Sequence, residues 1–296
     1  MRKETGFYAM GAWGSEPGRV AAIARHIPDA VVYVYGRSNI RNLFGYHNVT
    51  TVVPRCLTPG CNGLNGPELL GWMRDRDPAR LVMDITPYGL LTDESLPYLQ
   101  GRRTGRPTYY LHRRRNETPT IDATLFDEVL KVDPDPDLDG IDLNPVLAFD
   151  AEELLTRTAA RNELGATDKP IVMILGEGTT PDFRSFTIRL CQQHSIDFVT
   201  VNTYPAMTLM PGADLVVGYA GYSQTEAAAV GVPMMAITNM ADISQAWRAN
   251  ATPNNLADAI AALEVREAPE IATYANHARR AAALISGAPN WEAVDG

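Results

Sequence analysis

Short apolar runs alternate with amphipathic stretches along nearly the whole chain, and that alternation narrows the choice of folds more than any other feature. GFYAM (6–10), AVVYVYG (30–36), TTVVP (50–54), ARLVMDI (79–85), TYYLH (108–112) and EVLKV (128–132) form the first series. PIVMILG (170–176), DFVTVN (197–202), DLVV (214–217) and PMMAI (233–237) form the second. Between them lie RVAAIARHI (19–27), ELLGWMRDR (68–76), FRSFTIRLCQQH (183–194) and NNLADAIAALEV (254–265), whose apolar residues recur at helical spacing. The runs are short, branched and apolar on successive residues. Such strands are buried on both faces, which predicts parallel sheets covered by helices.

The acidic, proline-punctuated segment DPDPDLDGIDLNP (133–145) interrupts the pattern and reads as a linker. Its Asp-x-Asp pairs belong to a solvated connector rather than to a metal site. Beyond it AEELLTRTAARNEL (151–164) is expected to be one helix, and EIATYANHARRAAALI (270–285) another. The expected organisation is two doubly wound, Rossmann-like domains facing a cleft, 1–143 and 144–296, with the last helix able to pack back on the first domain.

Ligands of doubly wound folds sit beyond the carboxyl ends of the strands, where helix starts present unpaired amides. Three glycine turns follow a strand and lead into a helix: GAWGSEPG (11–18), GEGTTPDF (176–183) and GYAGYSQTE (218–226). Glycine lets main-chain amides approach an anion, and Ser or Thr adds hydroxyl donors. None of the turns is a Walker A sequence, and none is G-x-G-x-x-G. Two roles fit Glu226. Ser223-Gln-Thr-Glu226 matches a capping box, in which the carboxylate returns to the helix cap. The same acid is also suited to accept two ribose hydroxyls.

From residue 144 onward the chain resembles the donor-binding half of GT-B glycosyltransferases. The matching series is NPVL, PIVMILGEGTT, VNTYP, ADLVVGYAGYSQTEAAAVGVPMMAI and DISQAWRA. The resemblance implies Glu226 on the ribose of a nucleotide sugar, with Gly221, Tyr222, Ser223 and Gln224 at its diphosphate. It implies Gly178 and Thr179 facing the phosphates from the other loop, Thr203 and Tyr204 beside the base, and Gln245 near the donor sugar. The first half is similar more loosely, through GFYAMGAWGSEPGRVAAIAR and RLVMDITPYG. There Gly14 and Ser15 fall on the donor side. Many inverting members of the superfamily carry a His in this first loop, whereas this chain has GSEPG. Glu226 also stands one position nearer its glycine than is usual.

Glycosyl transfer needs a stabilised diphosphate leaving group and, for inversion, a group to take the acceptor proton. Helix-start amides serve the first need without a metal. For the second, Asp84 at the end of a strand is the first candidate, Glu16 the second and His112 the third. Arg102, Arg103, Arg106 and Arg113–Arg115 gather in one short span. Arg113, soonest after its strand, is the expected donor-phosphate contact. Trp13, Tyr88 and Tyr222 fall at the same loops.

The chain has 35 acidic against 26 basic side chains and a net charge of −9, which argues against a nucleic-acid coat. Its three cysteines make no disulfide framework and, without a His or Cys pair at ligand spacing, no zinc site. No run reaches the ~18 apolar residues of a membrane span, and the N-terminus lacks an apolar leader core. These features lead to the expectation of a soluble, cytosolic protein, and the resemblance implies a metal-independent transferase that uses a UDP-sugar and no further cofactor. Its hydroxyl acceptor stays open among small molecules, lipids, proteins and modified DNA bases. A UDP-sugar 2-epimerase and a non-catalytic nucleotide-sugar-binding subunit are the alternatives.

Overall fold

The computed structural model describes residues 4–10, 15–35, 49–52, 66–84, 105–112, 126–132, 136–143, 145–176, 181–202, 206–219, 222–237, 253–265 and 269–294. The chain divides into two compact units, Met1–Ala148 with Asn276–Gly296, and Phe149–Ala275.

The first unit is built on seven parallel strands in the order β3-β2-β1-β4-β5-β6-β7. They are β1 (Thr5–Met10), β2 (Ala30–Tyr35), β3 (Val49–Val52), β4 (Arg80–Asp84), β5 (Thr108–His112), β6 (Glu128–Lys131) and β7 (Ile141–Asp142). Helices α1 (Ser15–Ala24) and α2 (Gly66–Arg76) are the crossovers of its first half. β7 comes from the acidic segment expected to be an irregular linker, because Ile141 and Asp142 pair with Leu130 and Lys131 of β6. Successive residues of each strand point to opposite faces. Tyr8, Tyr33, Met83 and Tyr110 share one face with Trp72 of α2 and Phe126 in a single apolar cluster. Tyr8 stacks on Tyr33 at 6.0 Å between ring centroids, and Tyr110 on Phe126 at 5.0 Å.

The second unit has four parallel strands in the order β11-β10-β8-β9. These are β8 (Ile171–Leu175), β9 (Asp197–Val201), β10 (Leu215–Tyr219) and β11 (Met234–Ile237). Its helices are α3 (Arg157–Glu163), α4 (Pro181–Gln193), α5 (Tyr222–Val230) and α6 (Pro253–Ala262). Val172, Ile174, Leu215 and Val217 pack with Leu190, Cys191, Leu256 and Ile260 in its core. The Cys191 thiol is an interior group; burial pushes its pKa up to about 12. Gly231 ends α5 at φ +84°, in the left-handed region that glycine tolerates, and a Cβ there would sit 2.7 Å from the Glu270 carbonyl oxygen.

Two expected helices are shorter than their patterns. The stretch 151–164 holds a 3-10 turn at Ala151–Glu153, and α3 begins only after Thr156, whose hydroxyl accepts from the Ala159 amide at 3.3 Å. The closing helix is α7 (Ala278–Ser286), which packs on α1 within the first unit. The residues before it are drawn away by distant partners. The amide of buried Asn276 accepts from Leu147 N at 3.0 Å and donates to Leu147 O at 3.0 Å, and its oxygen also accepts from Ala278 N. The His277 amide donates to Pro145 O at 2.9 Å. Three main-chain groups thus depend on one side chain. Asn276→Leu should lower stability by about 3 kcal/mol, since each buried group left unmet costs roughly 1–3 kcal/mol. A urea melt of the full chain checks this, and a midpoint shift worth under about 1 kcal/mol would contradict it.

Candidate functional site

In the second sheet β8 lies between β9 and β10, so the connections after β8 and β10 run to opposite sides. The crevice beyond the carboxyl ends of those two strands is the topological switch point, where doubly wound sheets bind ligands. Two of the three glycine turns leave from it, one into α4 and one into α5. Tyr222, Ser223 and Gln224 form the first turn of α5 and are half-buried. The amides of such a turn have no intrahelical acceptor and carry the positive end of the helix dipole.

Glu226 is the fifth residue of α5 and is 1% exposed. Because Tyr222 and Ser223 are already helical, Ser223 is not the cap, and the Ser-x-x-Glu pattern does not close a capping box here. The carboxylate instead lies within electrostatic range of Tyr274. Burial, followed by the charges of Asp150, Glu153 and Glu226, pushes the Tyr274 hydroxyl well above the usual phenol range. That hydroxyl stays protonated and donates to the Phe149 carbonyl at 2.7 Å. Enclosed as it is, Glu226 meets a ligand hydroxyl only where the groups around it turn aside.

Asn202 was not among the residues singled out from sequence. It follows β9 directly, and its side-chain oxygen lies over the α-carbon of Gly176, which follows β8. A Cβ at position 176 would come to 1.7 Å from that oxygen, so any other residue there would push the exposed Asn202 side chain aside. The signal in the sequence was the Val-Asn pair ending an apolar run at the same edge as a glycine turn.

In the first sheet β1 lies between β2 and β4, so the switch point falls beyond the ends of β1 and β4. Ser15 and Glu16 are the first two residues of α1 on one side of it, and Asp84 ends β4 on the other. Asp84 is fully buried and held by Arg19 of α1, itself 2% exposed. Arg19 Nε donates to Asp84 Oδ2 at 3.1 Å, while Nη2 donates to Oδ1 at 3.2 Å and Oδ2 at 2.9 Å. His112 ends β5 in register with Lys131 of β6, and its ring meets Tyr110 edge-on at 5.7 Å. The Lys131 ammonium pairs with Asp142 at 3.3 Å.

Of the remaining residues singled out, Gly14, Arg113, Gly178, Thr179, Thr203, Tyr204, Gly221 and Gln245 lie outside the described residues, as do Trp13 and Tyr88. Ser15 and Glu16 are described by their helical backbone only. Among the described residues no cluster of three or more His, Cys, Asp or Glu is arranged to hold a metal ion. Among them, too, no helix is long and apolar enough to cross a membrane.

No protein-family model matches the chain, and no curated protein does. Solved structures match it over nearly its whole length. The UDP-N-acetylglucosamine 2-epimerase from Rickettsia bellii is similar at a TM-score of 0.60 and 10% identity, covering 97% of this chain and 95% of that one. The UDP-GlcNAc 2-epimerase from Neisseria meningitidis, bound to UDP-GlcNAc, is similar at 0.57 and 10% identity, covering 96% and 98%. The glycotransferase of kitacinnamycin is similar at 0.56 and 13% identity, covering 97% and 94%. At this identity the likeness establishes the fold, and the chain has the α/β GT-B fold with two doubly wound units.

Proposed function

We propose that this protein transfers a sugar from a nucleotide-sugar donor, a UDP-sugar, to a hydroxyl acceptor. The observation that carries the reading is the carboxyl edge of the second sheet. There, neighbouring parallel strands release two glycine turns, and α5 starts with Tyr222, Ser223 and Gln224 followed by the carboxylate of Glu226. The helix-start amides take the donor diphosphate and stabilise the charge that builds on it as the glycosidic bond breaks. Glu226 accepts the ribose hydroxyls. Asn202, over Gly176 on the same edge, is available to the base or to the phosphates. The fold neighbours support a UDP-sugar, since one of them is bound to UDP-GlcNAc and another, Anabaena Alr3699/HepE, to UDP and glucose.

Two acids stand at the first unit's own switch point, Glu16 in α1 and Asp84 at the end of β4, and they are the candidates compared for taking an acceptor proton. The −9 net charge favours small hydroxylated acceptors over a polyanion.

Epimerisation of a UDP-sugar is the second reading, favoured by the TM-scores of 0.60 and 0.57 to two 2-epimerases. A donor panel separates them. With the full chain and UDP-glucose, UDP-GlcNAc or other UDP-sugars, slow release of free sugar and UDP is the expected outcome. A change of sugar identity without release assigns epimerisation. Saturable UDP binding without turnover of any donor assigns a non-catalytic binding subunit, and no UDP binding at millimolar concentration removes the reading.

A further inference from the structure

We infer that Asp84 is a positioning residue of the first unit, a strut with Arg19 that sets the start of α1 against the end of β4, and that it is not the group that takes an acceptor proton. The inference rests on the transferase reading for its kinetic arm only. Both side chains are enclosed, and the guanidinium contacts both carboxylate oxygens over 2.9–3.2 Å. A proton arriving on Asp84 would cancel its charge and strand a buried guanidinium beside a neutral acid, which this environment penalises. An acid so placed resists the protonation that a general base must undergo in every turnover.

The same geometry gives the pair leverage. Arg19 is the fifth residue of α1, a little over one turn from its start, and Asp84 lies in register with Ala9, one residue before β1 ends. The ion pair therefore brackets the β1–α1 connection from the neighbouring strand. It fixes where the first-turn amides of α1 stand at the switch point. Arg19 belongs on this account to an apolar helix face, and its charge is tolerated there because Asp84 meets it in a forked geometry.

Neutral replacement of both partners separates the roles. Asp84→Asn alone is expected to lower kcat about thirtyfold, with donor Kd unchanged and the acidic limb of the kcat–pH profile retained, as misplacement does. Arg19→Gln with Asp84→Asn puts an amide pair where the ion pair was and should recover kcat to within about fivefold of the parent. If Asp84 were the base, the double variant would stay about 10²–10⁴-fold down and the acidic limb would vanish, which overturns the inference. Should the double variant not fold, Arg19→Lys keeps the charge without the fork, and a kcat loss with the profile unshifted is then the supporting result. A lost acidic limb in the folded Asp84→Asn variant overturns the inference by itself.

Amide exchange reads the strut without turnover. In Arg19→Met the amides of residues 15–24 should exchange at least about tenfold faster well below the melting temperature, with UDP affinity unchanged. Parent-like exchange there overturns the strut. UDP affinity of the parent chain decides the transferase reading separately, so either can fail while the other stands.

Discussion

Replacing Glu226 by alanine is expected to raise the donor KM about 100-fold while leaving the fold intact. The magnitude follows from the bonds in question. A carboxylate accepting two ribose hydroxyls makes two charge-assisted hydrogen bonds, each worth roughly 1.5–3 kcal/mol. Part of that sum offsets the cost of withdrawing the carboxylate from its surroundings, which leaves about 2.7 kcal/mol, or two decades in affinity. Glu226→Gln keeps the shape and removes the charge, so about tenfold is expected there. The carboxylates of Asp150, Glu153, Glu226 and Glu152 all act on the Tyr274 hydroxyl, so negative charges gather around that phenol. Neutralising one member of such a group relieves repulsion, and the melting temperature of Glu226→Gln should not fall. Isothermal titration with UDP, paired with a thermal melt, tests both statements. Unchanged UDP affinity in a folded Glu226→Ala variant removes this residue from the donor site.

The alternation of apolar runs and amphipathic stretches made the sheets legible from sequence. TYYLH is β5 residue for residue, and PIVMILG, DFVTVN and PMMAI each contain their strand with at most one extra residue at either end. Period and composition suffice there, because a strand buried on both faces has no choice but to be apolar. What the sequence concealed are partnerships set by topology. Arg19 looks like a solvated residue on the polar side of RVAAIARHI, and nothing local reveals that β4, 65 positions on, inserts beside β1 and delivers Asp84 to it. ATYANHARR has the composition of a helix, yet Asn276 and His277 spend their hydrogen bonds on Leu147 and Pro145. Long-range pairing overrides local propensity in both places. At the candidate site the glycine turns and Glu226 were legible because glycine and an isolated acid stand out. Asn202 was not, because its relation to Gly176 exists only once β8 and β9 are side by side.

Asp214→Ala is expected to cost as much stability as Asn276→Leu, and its value lies in what it should leave alone. The Asp214 carboxylate, just before β10, gathers three donors: Arg157 Nη2 at 2.6 Å, Arg161 Nη1 at 3.1 Å and the Ile171 amide at 2.8 Å. Arg157 and Arg161 lie four residues apart, hence on one face of α3. Their remaining N–H groups reach the Pro211, Gly212 and Ala213 carbonyls. One buried acid thus ties α3, the approach to β10 and the first residue of β8 together. Removing it leaves two guanidinium groups facing each other and an amide without its acceptor. Breaking a buried pair costs roughly 3–5 kcal/mol, and because both arginines keep some contact with water the lower end applies, about 3 kcal/mol. For a unit of this size that is a loss of about 10 °C in Tm. Asn at this position offers one acceptor oxygen to three donors and should fall between. All of this happens at the amino-terminal edge of the second sheet, whereas the glycine turns leave its carboxyl edge about 15 Å away along a five-residue strand. UDP affinity measured at 10 °C, where the variant is folded, should stay within about twofold of the parent. A Tm drop under about 3 °C would show that the ion-pair node is not what fastens α3. A folded variant that loses UDP would place the nucleotide at the wrong end of this sheet for a donor held by α5.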